Sequence, residues 1–175
     1  MTTGPSIYKN PEGKAKCMAV YDAVLAHWPV PYEHLDVPTR FGSTHIIVSG
    51  PKNAPPLILL PGNWATAMMW SSAISDLGRD HRAYAIDQID DVGKSVPTHI
   101  PASRSDYANW LLDVFDQLEL VQADIVGLLW RLSRCQLCFV FSWSSQASEL
   151  ALPWDSIVRS ANQQVCYSRD ANNIL

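Results

Sequence analysis

Three short stretches of the chain carry residue types and spacings that could do chemistry. The first is "LILLPGNW", an apolar run closed by Pro61-Gly62-Asn63-Trp64. A glycine after a buried strand lets the backbone turn sharply and aim N–H groups at a developing oxyanion, so the Pro61-Gly62-Asn63-Trp64 turn reads as one side of an oxyanion hole. An ordinary strand-to-helix turn explains the same letters and stays open. The second is "DIVGLL", a strand that reaches Gly127 where a G-x-S-x-G elbow would present a nucleophilic serine. Leu129 stands where that serine is expected, and Trp130 and Arg131 are too large for an elbow that needs small neighbours. The third is Cys135-Gln136-Leu137-Cys138, a C-x-x-C that fits half a zinc site or a redox pair. No second C-x-x-C or histidine pair follows it, so coincidence is the plainer account and no metal site is assigned. His27, His34, His45, His81 and His99 show no ligand spacing, and each reads as a surface or core histidine. Ser133 or Ser142 working with an upstream histidine is the remaining route to a nucleophile, and no spacing supports it.

The elements that must position these residues follow from periodicity. Met18, Tyr21, Val24, Leu25 and Trp28 recur at spacings of three and four, which predicts an amphipathic helix over 13–28, stopped by Pro29 and Pro31. "HLDVPTRFGSTHIIVSGP" predicts an antiparallel hairpin around Phe41-Gly42. "PPLILLPG" and "RAYAID" are short apolar runs, the mark of strands buried on both faces, and a helix carrying Trp70, Ile74 and Leu77 separates them. Residues 105–118 form the strongest helix, with Ser105 as its cap and Tyr107, Trp110, Leu111, Val114, Phe115 and Leu118 as its apolar stripe. "ADIVG" is a third buried strand. Strands alternating with helices of this length imply right-handed parallel crossovers, hence an α/β fold with a mostly parallel doubly wound sheet.

Composition sets the outer bounds. At 175 residues and 47% hydrophobic content the chain supports one domain with a real core. A net charge of -4, without long runs of either sign, gives no footprint for nucleic acid. No stretch approaches the roughly 18 uninterrupted apolar residues of a membrane span, so a cytoplasmic protein is expected. Four cysteines are too few for a secreted disulfide framework, and no cofactor is expected.

The stretches "TRFGSTHIIVSGPKNAPPLILLPG", "MMW", "HRAYAIDQIDDVGKSVP" and "RSDYANWLLDVFDQL" together resemble the N-terminal part of the carboxylesterase NP group of bacterial α/β-hydrolases. The resemblance covers residues 28–128, is densest in "DYANWLLDVFD", and stops abruptly at Leu128. It implies a serine esterase that acts on small-molecule carboxylic esters through an acyl-enzyme, with its triad in the chain order Ser, acid, His. Only the oxyanion loop carries over residue by residue. The family's His-Gly is Pro61-Gly62 here, which removes one side chain and one backbone donor; the resemblance then implies the Asn63 N–H as the oxyanion donor and Trp64 as a substrate-binding side chain. The serine, the acid and the base have no counterpart. The expected organisation is therefore an N-terminal helical extension over 1–30, the first part of a hydrolase domain over 31–128, and a non-homologous tail over 129–175.

That tail changes character. Its 47 residues contain no Lys, eight Ser and three Trp, with neither a sustained period nor convincing caps, and it is expected to be irregular or loosely helical. Codon arithmetic offers a reason. Tryptophan has the single codon TGG, so a frame displaced one base to the right reads each Trp as Gly, and Trp130, Trp143 and Trp154 become glycines. With permissible codons elsewhere, residues 129–155 re-read as "YGGYLAANYASSFPGRPKRLNLLSPGI", and one Ser restored after Leu128 gives G-L-S-Y-G-G. The expectation is a carboxylic ester hydrolase by descent whose chain is catalytically incomplete. The alternative is a non-catalytic scaffold or interaction protein, self-associating through a sheet edge left open after its third parallel strand.

Overall fold

In chain order the elements are α1 (Pro11–Leu25), β1 (Tyr32–Thr39), β2 (Gly42–Ser49), β3 (Pro56–Leu60), a 3-10 turn (Ala67–Ser72), α2 (Ile74–Asp80), β4 (Arg82–Ile86), β5 (Val96–Pro97), α3 (Arg104–Gln117), β6 (Gln122–Trp130), β7 (Gln136–Ser144) and β8 (Val165–Tyr167). They belong to a computed structural model that describes residues 7–130, 136–145 and 165–167. The strands make one sheet in the order β1-β2-β4-β3-β6-β7-β8, with β5 paired to β2. β4, β3 and β6 run parallel, as the alternation of strand and helix predicts. The β1–β2 hairpin is antiparallel with Thr39 opposite Gly42. Gly42 has φ 134, and a side chain there would run into the Val96 carbonyl at 2.2 Å, so this turn needs glycine.

Two apolar layers enclose the sheet. On one face Ile46, Val48, Ile58, Leu60, Ile86 and Ile125 pack against Trp110, Val114 and Phe115 of α3. On the other Ile47, Leu57, Leu59, Ala83 and Ala85 meet Tyr21 and Leu25 of α1, Trp28, and Met68, Trp70 and Ile74 of the 3-10 turn and α2. Neighbouring residues on one strand point to opposite faces, and both faces are covered, so β2 and β3 read as unbroken apolar runs rather than as an alternation.

The structure corrects the sequence reading at the element ends. The first helix begins at Pro11, whose missing N–H suits the first turn, with the Asn10 side chain accepting from the Gly13 N–H. The α3 cap is Ser103, not Ser105: its hydroxyl accepts from the Asp106 N–H while the Asp106 carboxylate accepts from the Ser103 N–H. A serine three positions before an acid was the better signal. Trp70, Ile74 and Leu77 do not share one helix, because the chain tightens into a 3-10 turn capped by Thr66 before α2 starts.

The larger difference lies past Gly127. β6 does not end there but continues to Trp130, and β7 returns antiparallel beside its full length, from Gln122 opposite Ser144 to Trp130 opposite Gln136. β8 adds three residues to β7. Leu137, Phe139, Phe141 and Trp143 stand at alternate positions, a strand signal that the reading of the tail as aperiodic passed over. The sheet edge expected to stand open at β6 carries β7.

Candidate functional site

The carboxyl ends of parallel strands are where α/β sheets gather their loops. Leu60, the last residue of β3, lies opposite Gly127 of β6, and β4 runs beside β3 on its other side. Two loops therefore meet at this end, 61–66 after β3 and 87–95 after β4, beside the stretch of β6 at Gly127.

The first loop turns with Pro61 and Gly62 buried and Asn63 and Trp64 exposed. Trp64 has φ 60, the left-handed region that costs a bulky side chain roughly 1–3 kcal/mol, and its indole is 85% exposed. The Asp91 carboxylate offsets that cost, since it accepts the Trp64 N–H at 2.6 Å and the Val92 N–H at 2.7 Å. Burial pushes the Asp91 carboxyl up, these two N–H groups pull it back, and the charge of Asp90 pushes it up again. The Ala65 N–H closes the turn on the Gly62 carbonyl at 3.1 Å. Among the described residues the Asn63 N–H donates to nothing.

Asp87 is the hub behind this loop. Fully buried at the end of β4, its carboxylate accepts from the Ala67 N–H at 2.8 Å and from the Lys94 N–H at 2.9 Å, so one side chain ties the 3-10 turn to the 87–95 loop. Burial raises its pKa, and the two N–H donors oppose that shift. The buried Tyr21 hydroxyl faces the same carboxylate without reaching hydrogen-bond geometry, and burial and then that charge push the phenol up. Gly93, at φ 146, lets the loop pass: a Cβ there would lie 2.7 Å from the Asp87 carboxyl carbon. Between the two loops is a cleft of about 390 Å³, lined by Asn63, Trp64, Gln88, Asp90, Asp91 and Tyr107 among others. The Tyr107 hydroxyl donates to Asp90, and burial followed by that bond raises the Tyr107 pKa.

Of the residues singled out by sequence, Asn63 and Trp64 line this cleft. Leu129 occupies a regular strand position opposite Leu137, so the backbone runs straight where an elbow would turn. Ser142 sits near the other end of β6, opposite Asp124, to which its hydroxyl donates. Ser133 and Cys135 lie outside the described residues, whereas Cys138 lies in β7 opposite Leu128. Among the described residues no group of three or more His, Cys, Asp or Glu could hold a metal ion, and no helix is long and apolar enough to cross a membrane. Sequence reasoning missed Asp87 and Asp91. An acid ending an apolar strand, with a glycine six positions on, was the available signal. It also missed that the hairpin brings His34 and His45 together, because eleven residues separate them along the chain and only the hairpin register juxtaposes them.

No family model matches the chain. Two curated proteins of Bacillus subtilis (strain 168) do: the uncharacterized carboxylesterase nap at 46% identity over 108 residues, and the carboxylesterase YbfK at 47% over 108. Each match takes in 62% of this chain and 36% of the relative, so the chain spans little more than a third of their length. Among solved structures, naproxen esterase (carboxylesterase NP) from Bacillus subtilis superposes with a TM-score of 0.65 at 42% identity, over 69% of this chain and 42% of the other. Carboxylesterase CesB (YbfK) gives 0.66 at 44%, over 67% and 41%. Over the matched part, the chain is a homologue of bacterial carboxylesterases and has the α/β-hydrolase fold.

Proposed function

Starting from that homology, we propose that the chain is a carboxylic ester hydrolase by descent which keeps the oxyanion side of the site and lacks the nucleophile. In this reading the Asn63 N–H is the oxyanion donor and Trp64 bounds the ester. The Asp91 carboxylate holds Trp64 in its left-handed conformation and thereby aims Asn63. The observation that carries the reading is the backbone at Leu129. A serine nucleophile is presented by a strand that breaks sharply into a helix, which strains the turn and lifts the side chain out of the sheet. Here β6 passes through Leu129 to Trp130 still paired with β7. Leucine supplies neither a nucleophile nor a proton, and removal of the triad leaves only residual catalysis from binding and the oxyanion donors.

The forced glycines of the displaced reading support a frame change near codon 129 as the origin of residues 129–175, because one of them falls where the elbow requires a small residue. Sequencing the gene across codons 127–131 tests this. An in-frame gene whose offset frame does not spell Y-G-G ends the idea. For the activity, the purified chain is expected to hydrolyse p-nitrophenyl esters only at a residual rate that a serine-directed phosphonate does not lower. Turnover abolished by a serine-directed phosphonate would establish a working nucleophile elsewhere in the chain.

A further inference from the structure

On the face of the β1–β2 hairpin beneath α1, three side chains form a hydrogen-bonded line, Asp36–His45–His34, buried in the middle and exposed at both ends. His45, 4% exposed, places Nδ1 3.0 Å from Asp36 Oδ1 and Nε2 3.2 Å from His34 Nδ1. The protons follow from inventory. An ionised carboxylate only accepts, so His45 donates from Nδ1; its Nε2 then accepts, and His34 donates from Nδ1 while turning Nε2 outward. One added proton preserves this line, because it can settle on the outer Nε2 of His34. A second proton cannot, since it puts an N–H on both facing nitrogens and turns the bond into a contact between two cations.

Charges of both signs surround the pair, and the Tyr32 ring packs edge-on against His34 with centroids 5.3 Å apart. Lys94 and Lys14 line the same cavity, on the loop after β4 and on α1. Against them stand Asp36 on β1, Asp22 on α1, which pairs with Lys94 at 2.6 Å, and the buried Asp87 beyond Tyr21. The pair also touches α1 directly: the Tyr21 ring meets His45 edge-on with centroids 6.3 Å apart, and Lys94 Nζ lies 4.9 Å over that ring. We infer that His34 and His45 form a proton-operated latch, in which the doubly protonated pair parts and loosens α1 from the hairpin. The His34 pKa is lowered, by burial first and then by the charges of His45 and Lys94. A histidine lowered on folding contributes stability above its unfolded value of about 6.5, and that contribution is lost as the pH falls through the folded value. The direction agrees with an acid-opened latch.

Ring NMR of both histidines in the full chain, from about pH 8 to about pH 5, combined with hydrogen exchange of the α1 amides, reads the latch. His34 is expected to titrate below its unfolded value, and exchange protection of α1 should fall as its charge develops. His34→Gln keeps a neutral donor toward His45 and should leave α1 protection flat over the same range. A His34 curve at or above the unfolded value in the native chain overturns the proposal, as does α1 protection that ignores that curve, or an acid loss that survives in His34→Gln. The native-chain curves decide the matter even if the variant does not fold.

Discussion

The two flanks of β6 are built on different principles. On one side β6 lies parallel to β3, and a crossover through helices and loops separates the two in the chain. On the other side β7 follows after residues 131–135 and runs antiparallel. So short a connection permits only an antiparallel return, since a parallel pair needs a crossover of a dozen or more residues. The difference bears on chemistry. A parallel crossover delivers each strand's carboxyl end into a loop and a helix start, where N–H groups converge; 61–66 and 87–95 are such loops. A hairpin hands one strand to another and gathers nothing. The same β6 that places Gly127 beside the 61–66 loop runs on to Trp130 paired with β7.

The contrast predicts unequal stability, and the largest effect is expected at the loop junction. Asp87→Ala leaves the Ala67 and Lys94 N–H groups buried without their acceptor. Each orphaned donor costs about 1–3 kcal/mol, so the urea midpoint should collapse. Gly93→Ala adds a side chain at positive φ against the Asp87 carboxyl and should cost about 1–3 kcal/mol by the same measurement. If either variant unfolds like the parent chain, the loops are not tied as described.

Hydrogen exchange compares the flanks directly. Leu57–Leu60 amides sit between two parallel neighbours under two apolar layers, and they should exchange only through global unfolding. β7 pairs along its whole length with β6, and among the described residues β8 covers its other side only at Gln136–Cys138. Its amides should exchange by local opening, at least about tenfold faster. Equal protection on the two flanks would mean that the hairpin is as integral to the core as the parallel strands.

How much of this was legible follows from the physics of each part. Ile46–Val48 and Leu57–Leu60 announce themselves because apolar burial on both faces leaves an uninterrupted run. Trp110, Val114 and Phe115 do so because one helical face must be apolar. Asn63 and Trp64 were readable from a glycine turn after a strand. Asp87 and Asp91 were not, since their partners are backbone N–H groups supplied by residues up to 27 positions away. β7 was legible in the alternation of Leu137, Phe139, Phe141 and Trp143, which the change of composition past Leu128 obscured.

The smallest expected effect is electrostatic. Arg40, at the β1–β2 turn, donates its backbone N–H and its guanidinium to Asp113 of α3, and this pairing holds the Asp113 carboxyl below the usual range. The pair's contribution is present above the unfolded carboxyl value of about 3.9 and lost as the pH falls through the folded one. Arg40→Ala should raise the Asp113 pKa in a carboxyl NMR titration, with little change in stability at neutral pH. An unmoved titration would place the lowering elsewhere.

On the proposed function, the oxyanion side stands without a nucleophile. Incubation of the intact chain with a serine-directed fluorophosphonate, followed by whole-protein mass measurement, tests it most directly. The account predicts an unchanged mass, and one stoichiometric phosphonate adduct on a serine would contradict it.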